Sequence, residues 1–162
     1  MTRIYGTHVL HGLASFEEEA PDVAEMTRRF DAVQAAGYPW LVAELESGEV
    51  GGYAYASGYR ARPAYRFSVE NSVYVAPDAI GHGLGRVLLR RLIDECVLRG
   101  YRQMIAIIGD SQNHASIGLH RALGFDQTGI LRAVGFKHDR WVDSVIMQLS
   151  LGDGDATTPQ RD

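Results

Sequence analysis

The chain has 162 residues, the size of one domain that can bury a core without disulfide or metal staples. Its 16 Lys and Arg against 20 Asp and Glu leave a net charge of −4, which excludes the global positive field of a nucleic-acid binder. A single cysteine, Cys96, excludes an internal disulfide framework, and no apolar run reaches the length of a membrane span, so a cytoplasmic protein is expected.

Residues 1–11 read as the end of a helix, closed by Gly12. Pro21 and Asp22 open a second helix that runs to Ala36 and stops at Gly37. Segments 40–46 and 50–57 read as strands around a Ser47-Gly48 turn, and 67–76 as a third strand halted by Pro77. The clearest helix is 84–99. Leu84, Leu88, Leu92 and Cys96 recur at i+4, Val87, Ile93 and Val97 widen the stripe, and Gly100 closes it. The apolar run 104–108 reads as a strand covered on both faces. A short helix over 115–123 precedes Gly124, and two strands follow at 125–133 and 141–149. Residues 152–162 are small, polar and proline-containing and read as a disordered tail. Strands and helices so mixed predict one α+β (mixed α/β) domain over 1–151.

Two segments carry chemistry. In the strand 67–76, Phe67, Val69, Asn71, Val73 and Val75 point one way, and Ser68, Glu70, Ser72, Tyr74 and Ala76 the other. Glu70 therefore lies on the more polar face, as a solvated glutamate, an arginine partner or a catalytic base. Ile80-Gly81-His82-Gly83-Leu84-Gly85-Arg86 then leads into the long helix. Three glycines at a strand-to-helix turn let backbone N–H groups converge on an anion, and the helix N-terminus adds positive charge. An ordinary glycine-rich turn is the alternative. No Gly-Lys-Ser/Thr follows, as a P-loop requires, and the spacing is not that of the dinucleotide fingerprint. His82, Arg86, Arg90 and Arg91 make this stretch basic within an acidic chain. His8 and His11 have HxxH spacing but no partner set, so they read as helix-surface residues and no metal is expected.

As a set, VENSVYV (69–75), GHGLGR (81–86), IGDSQNHASIGLHRALGF (108–125) and LRAVGFKHDRW (131–141) resemble the GNAT superfamily of N-acetyltransferases. With ASFEEEAPD (14–22) and YPWLVAE (38–44), they resemble more narrowly its phosphinothricin and methionine sulfoximine acetyltransferases. Residues 80–85 meet the acetyl-CoA motif Gln/Arg-x-x-Gly-x-Gly/Ala except at Ile80, which removes a side-chain contact and leaves the backbone cradle.

The resemblance implies a GNAT fold: a central, mixed, twisted sheet splayed at the acetyl-CoA site and flanked by helices. Members usually begin with a further strand and the front of the first helix, so the expectation is either a misassigned start or a sheet without that edge strand. It implies acetyl-CoA as co-substrate and Glu70 as general base, because an α-ammonium must lose a proton before it attacks a thioester. Val73, Tyr74 and Val75 would offer backbone to the pantetheine arm, and an N–H there would polarise the acetyl carbonyl. Gly81, His82, Gly83, Leu84, Gly85 and Arg86 would hold the pyrophosphate. Asn113 would contact CoA, cap a helix, or do both. His120 would serve as general acid for the departing thiolate or hydrogen-bond the pantetheine. Phe16, Arg62 and Tyr65 fall at acceptor-binding positions, Arg62 as a carboxylate clamp or a solvated loop residue. Lys137 and His138 lie near the acceptor end by analogy.

The expected activity is direct acetyl transfer to the α-amine of a small amino-acid-like acceptor, in a homodimer. A non-catalytic acetyl-CoA-sensing module and a protein N-terminal acetyltransferase are the alternatives. A clamping Arg62 argues against the latter, because the first residue of a peptide has no free α-carboxylate.

Overall fold

The computed structural model describes residues 1–159. Helices α1 (Thr2–His11) and α2 (Val23–Ala35) precede strands β1 (Trp40–Glu44), β2 (Val50–Gly58) and β3 (Ser68–Val75). Then come α3 (Leu84–Leu98), β4 (Gln103–Gly109), α4 (His114–Ala122), β5 (Asp126–Lys137) and β6 (Arg140–Ser150). The six strands form one sheet in the order β1-β2-β3-β4-β6-β5. Among the described residues only the β3–β4 contact is parallel, and the other neighbours run antiparallel. The mixed α+β architecture is the one expected.

Alternation along β2 sends its side chains into two cores. Ala54 and Ala56 lie under α3, against Leu88, Leu89, Leu92, Cys96, Met104 and Met147. Tyr53 faces the other way, into a cluster with Ile4, Tyr5 and Val9 of α1 and Met26 of α2. Leu88, Leu92, Ile93 and Cys96 of the stripe read from α3 are buried, with Leu89 beside them, but Val87 and Val97 are 65% and 39% exposed, so the buried face is narrower than the stripe on their side. Burial pushes the Cys96 thiol up to about 12, as suits an inert core thiol. Asp22 starts α2 by accepting the Glu25 N–H at 2.8 Å.

Three local expectations change. Tyr74, read onto a polar face, packs edge-on against Tyr5 at 4.8 Å and beside Tyr53 at 5.3 Å. Its face of β3 is covered by α1, so the hydroxyl-bearing rings form an aromatic core. The last two strands extend beyond 125–133 and 141–149 into one long hairpin. His138 and Asp139 both adopt positive φ (50° and 55°), which makes a two-residue turn. A bulge between Leu131 and Gly135 hides the alternation, and the Asp143 carboxylate steadies it by accepting the Ala133 N–H at 2.9 Å. Finally, residues 152–157 form turns and bends, followed by 158–159 without regular structure, where a disordered tail was expected. Arg102 ties them down, donating to Thr157 Oγ1 at 3.0 Å, and Leu151 before them is buried. The rest of that expectation, residues 160–162, lies outside the described residues.

Candidate active site

β3 and β4 pair over three rungs only: Ser68 with Gln103, Val69 with Met104, and Glu70 with Ile105. Beyond Glu70 the strands diverge, while β3 stays paired with β2 as far as Val75. A V therefore opens in the sheet, and two adjoining cavities fill it. One, of about 680 Å³, runs past Val75, Gly81, Gly83 and Arg86. The other, of about 320 Å³, is lined by Phe16, Tyr55, Glu70, Asn71 and His120. Ala14, Val73, Tyr74, Gly109, Asn113 and Ser116 border both.

The larger cavity suits a phosphate-bearing arm. Gly81 and Gly83 adopt φ of 89° and 78°, a region open to glycine and strained for other residues. Gly83 is the N-cap of the 15-residue α3, and no side-chain hydrogen bond caps that end. The first-turn N–H groups are thus left to the cavity. The free edge of β3 at Val73–Val75 is suited to backbone pairing with an extended ligand. Gly81, Gly83, Leu84, Gly85, Arg86 and Asn113 all line this cavity, as do Val73, Tyr74 and Val75. His82 is exposed in the turn and stands apart from the lining. Asn113 caps α4, its side chain accepting the Ser116 N–H at 3.1 Å. His8, read as a surface residue, borders this cavity and donates from Nε2 to the Val75 carbonyl at 3.0 Å.

The smaller cavity holds the ionisable groups. Glu70 stands at the last rung before the V. Burial raises its carboxyl above the ordinary carboxylate value, and the Arg60 charge opposes that in part. A carboxylate so shifted is a better proton acceptor at neutral pH. His120 is 4% exposed and reaches across from α4. Its Nδ1 lies 2.8 Å from the Ser116 carbonyl and its Nε2 3.0 Å from Asn71 Oδ1. Burial lowers its basicity, and the Ser116 carbonyl counters this.

Phe16 is held by backbone rather than by its own loop. A Cβ on Gly135 would lie 2.6 Å from the Phe16 ring, so only glycine leaves room there. Buried Lys137 donates to the Ser15 carbonyl at 2.7 Å and pins the same segment to β5. That gives Lys137 a role its sequence position did not suggest.

Arg62 and Tyr65 are not brought to either cavity. Arg62 precedes a short 3₁₀ turn, Pro63–Tyr65, and Tyr65 packs edge-on against Tyr59 at 5.6 Å. Sequence reasoning missed Tyr55, Asn71 and Ser144 in the cavity wall. Asn71 carried a signal, being the one polar residue on the apolar face of its strand. Tyr55 carried none, because its place depends on stacking against Trp40 at 4.3 Å.

Comparison with known proteins gives the family. Residues 7–125 match the acetyltransferase (GNAT) family. The chain is 56% identical over 160 residues to a phosphinothricin N-acetyltransferase of Alcaligenes faecalis, covering 99% of this chain and 81% of that one. It is 46% identical over 151 residues to an L-methionine sulfoximine/L-methionine sulfone acetyltransferase of Salmonella typhimurium, covering 93% and 87%. The crystal structure of a phosphinothricin acetyltransferase from Sinorhizobium meliloti in complex with AcCoA superposes with a TM-score of 0.96 at 51% identity, covering 99% and 86%. The chain belongs to the GNAT family of acetyltransferases.

Proposed function

We propose that this acetyl-CoA-dependent N-acetyltransferase acetylates the α-amine of a small amino-acid-like acceptor of the phosphinothricin or methionine sulfoximine/sulfone type. The observation that carries this reading is the place of Glu70. It stands at the last rung that pairs β3 with β4, in the wall of a cavity of about 320 Å³ that opens onto the larger one. A space of that size suits a free amino acid. The names of the A. faecalis and S. typhimurium relatives support the acceptor class.

Acetyl-CoA supplies an activated acyl carbon as a thioester. The free edge of β3 at Val73–Val75 and the turn at residues 81–86 hold its arm and pyrophosphate. Glu70 takes a proton from the acceptor ammonium, directly or through water, which frees the nitrogen lone pair. A β3 backbone N–H stabilises charge on the acetyl oxygen. His120 holds a proton for the departing sulfur. Side-by-side binding provides the proximity, and buried Cys96 has no part in it. Two further expectations belong to the same reading. A homodimer is supported by exposed Leu131, Val134, Phe136 and Trp141 on the β5–β6 hairpin. A cytoplasmic location is supported by the free, buried thiol.

Release of CoA thiol from acetyl-CoA tests the reading across phosphinothricin, methionine sulfoximine, methionine sulfone, the standard amino acids and tripeptides. Release is expected with the first three. Binding of acetyl-CoA with no release on any amine would make the chain a sensing module. Equal rates on tripeptides would make it a peptide acetyltransferase.

A further inference from the structure

Across the apex of the V, four groups form one hydrogen-bonded chain. Asn71 Nδ2 lies 3.1 Å from the Ile105 carbonyl of β4, and Asn71 Oδ1 lies 3.0 Å from His120 Nε2. His120 Nδ1 in turn lies 2.8 Å from the Ser116 carbonyl of α4. Asn71 and His120 are both buried, at 7% and 4% exposure. The chain joins β3 to β4 and to α4 at the point where the strands part.

The two ends of this chain are carbonyls, which only accept. Nδ1 must therefore carry a proton to bond Ser116. The Asn71 amide must turn its NH₂ toward Ile105, which leaves Oδ1 facing Nε2. Oδ1 also only accepts, so that contact is a hydrogen bond only while Nε2 is protonated. Flipping the amide does not help, since Oδ1 would then face the Ile105 carbonyl. All three bonds exist together only with the imidazolium form of His120. Ser116 Oγ also lies 3.5 Å from Nδ1, a longer contact than the 2.8 Å to the Ser116 carbonyl. When that ring loses a proton, Nδ1 keeps its own on the Ser116 carbonyl and Nε2 gives one up. Phe125 packs edge-on against the ring at 4.9 Å. Glu70, Tyr55 and Tyr74 are the other titratable groups in the lining of this cavity.

We propose that Asn71 is a positioning residue that holds the proton on His120 Nε2, while the Ser116 carbonyl keeps Nδ1 protonated. Asn71 thereby works against the burial of the ring and enlarges the fraction of protein with a proton on the nitrogen turned toward β3. The inference rests on reading His120 as the acid of acetyl transfer, where the protonated ring is the active form.

The test is nitrogen NMR on protein labelled with ¹⁵N at histidine, with His120 assigned by loss of its signals in His120→Gln. In the unsubstituted protein Nε2 should titrate, leaving the Nδ1–H tautomer at high pH. In Asn71→Leu the midpoint should fall by about one pH unit, the scale of one hydrogen bond to a charged group. In Asn71→Asp a carboxylate faces Nε2, and the midpoint should rise. The alkaline limb of the kcat profile should move with the midpoint, while acetyl-CoA Kd changes less than about twofold, well under a tenfold step of 1.4 kcal/mol. An Nε2–H tautomer at high pH, or an unmoved midpoint in folded Asn71→Leu, overturns the proposal. The tautomer is read on the unsubstituted protein, so it decides even if a variant fails to fold. If the nitrogens behave as expected and the kcat limb does not follow, the assignment of His120 as the acid fails instead.

Discussion

The two halves of β3 share one alternation and one neighbour, β2, and differ in the other neighbour. Over Val69–Glu70 the strand is paired on both edges, and Val69 is fully buried against Met104. Past Glu70 the β4 edge is open, and residues 71–75 border the cavities. The same kind of sequence thus makes core in one half and binding surface in the other. Where pairing ends, backbone donors and acceptors are freed for a ligand, and side chains from both faces reach the same space. Glu70 stands on the boundary, which gives it partial burial and access at once.

Substitutions on either side of that boundary should separate stability from chemistry. The largest effect is expected at the boundary itself. Glu70→Gln should lower kcat by about 10²–10⁴, the usual contribution of a general base, with acetyl-CoA binding little changed by calorimetry. Next comes the closed half. Met104→Ala removes a fully buried side chain and should cost about 2–5 kcal/mol in urea unfolding, while kcat of the folded fraction is kept. Opposite the open half, Gly83→Val forces a branched residue to φ of 78°. It should cost roughly 1–2 kcal/mol of stability and also weaken acetyl-CoA binding. The smallest effect is expected far from the V, where Asp22→Ala removes the α2 cap. A loss of about 1 kcal/mol with unchanged kcat and KM is the expected outcome. A drop in kcat for Met104→Ala or Asp22→Ala in folded protein would erase the distinction between the halves.

Local signals made most of the scaffold legible. The i+4 stripe of α3 and the glycine stops at 37, 100 and 124 placed elements within a few residues of where they lie. What stayed hidden depends on distant partners. The V is set by where β4 leaves β3, and nothing in 67–76 alone marks Glu70 as the last rung. Asn71 and His120 meet across 49 residues, so no spacing connects them. Phe16 was assigned to the pocket by resemblance, but the feature that seats it is the bare backbone of Gly135. Arg62 and Tyr65 show the reverse, since matching positions did not bring them to either cavity.

The central claim is that Glu70, half-buried at the end of the paired edge, takes the acceptor's proton. Burial raises its carboxyl and Arg60 lowers it by less, and in the proposed mechanism the ionised form is the base. Activity should therefore fall as pH drops through a midpoint above the ordinary glutamate value of about 4.3. The most direct measurement is kcat/KM against pH with phosphinothricin as acceptor, for the unsubstituted protein and Glu70→Gln. An acid limb above the ordinary range that is absent from the residual turnover of Glu70→Gln is the predicted result. The same acid limb in both proteins would contradict it.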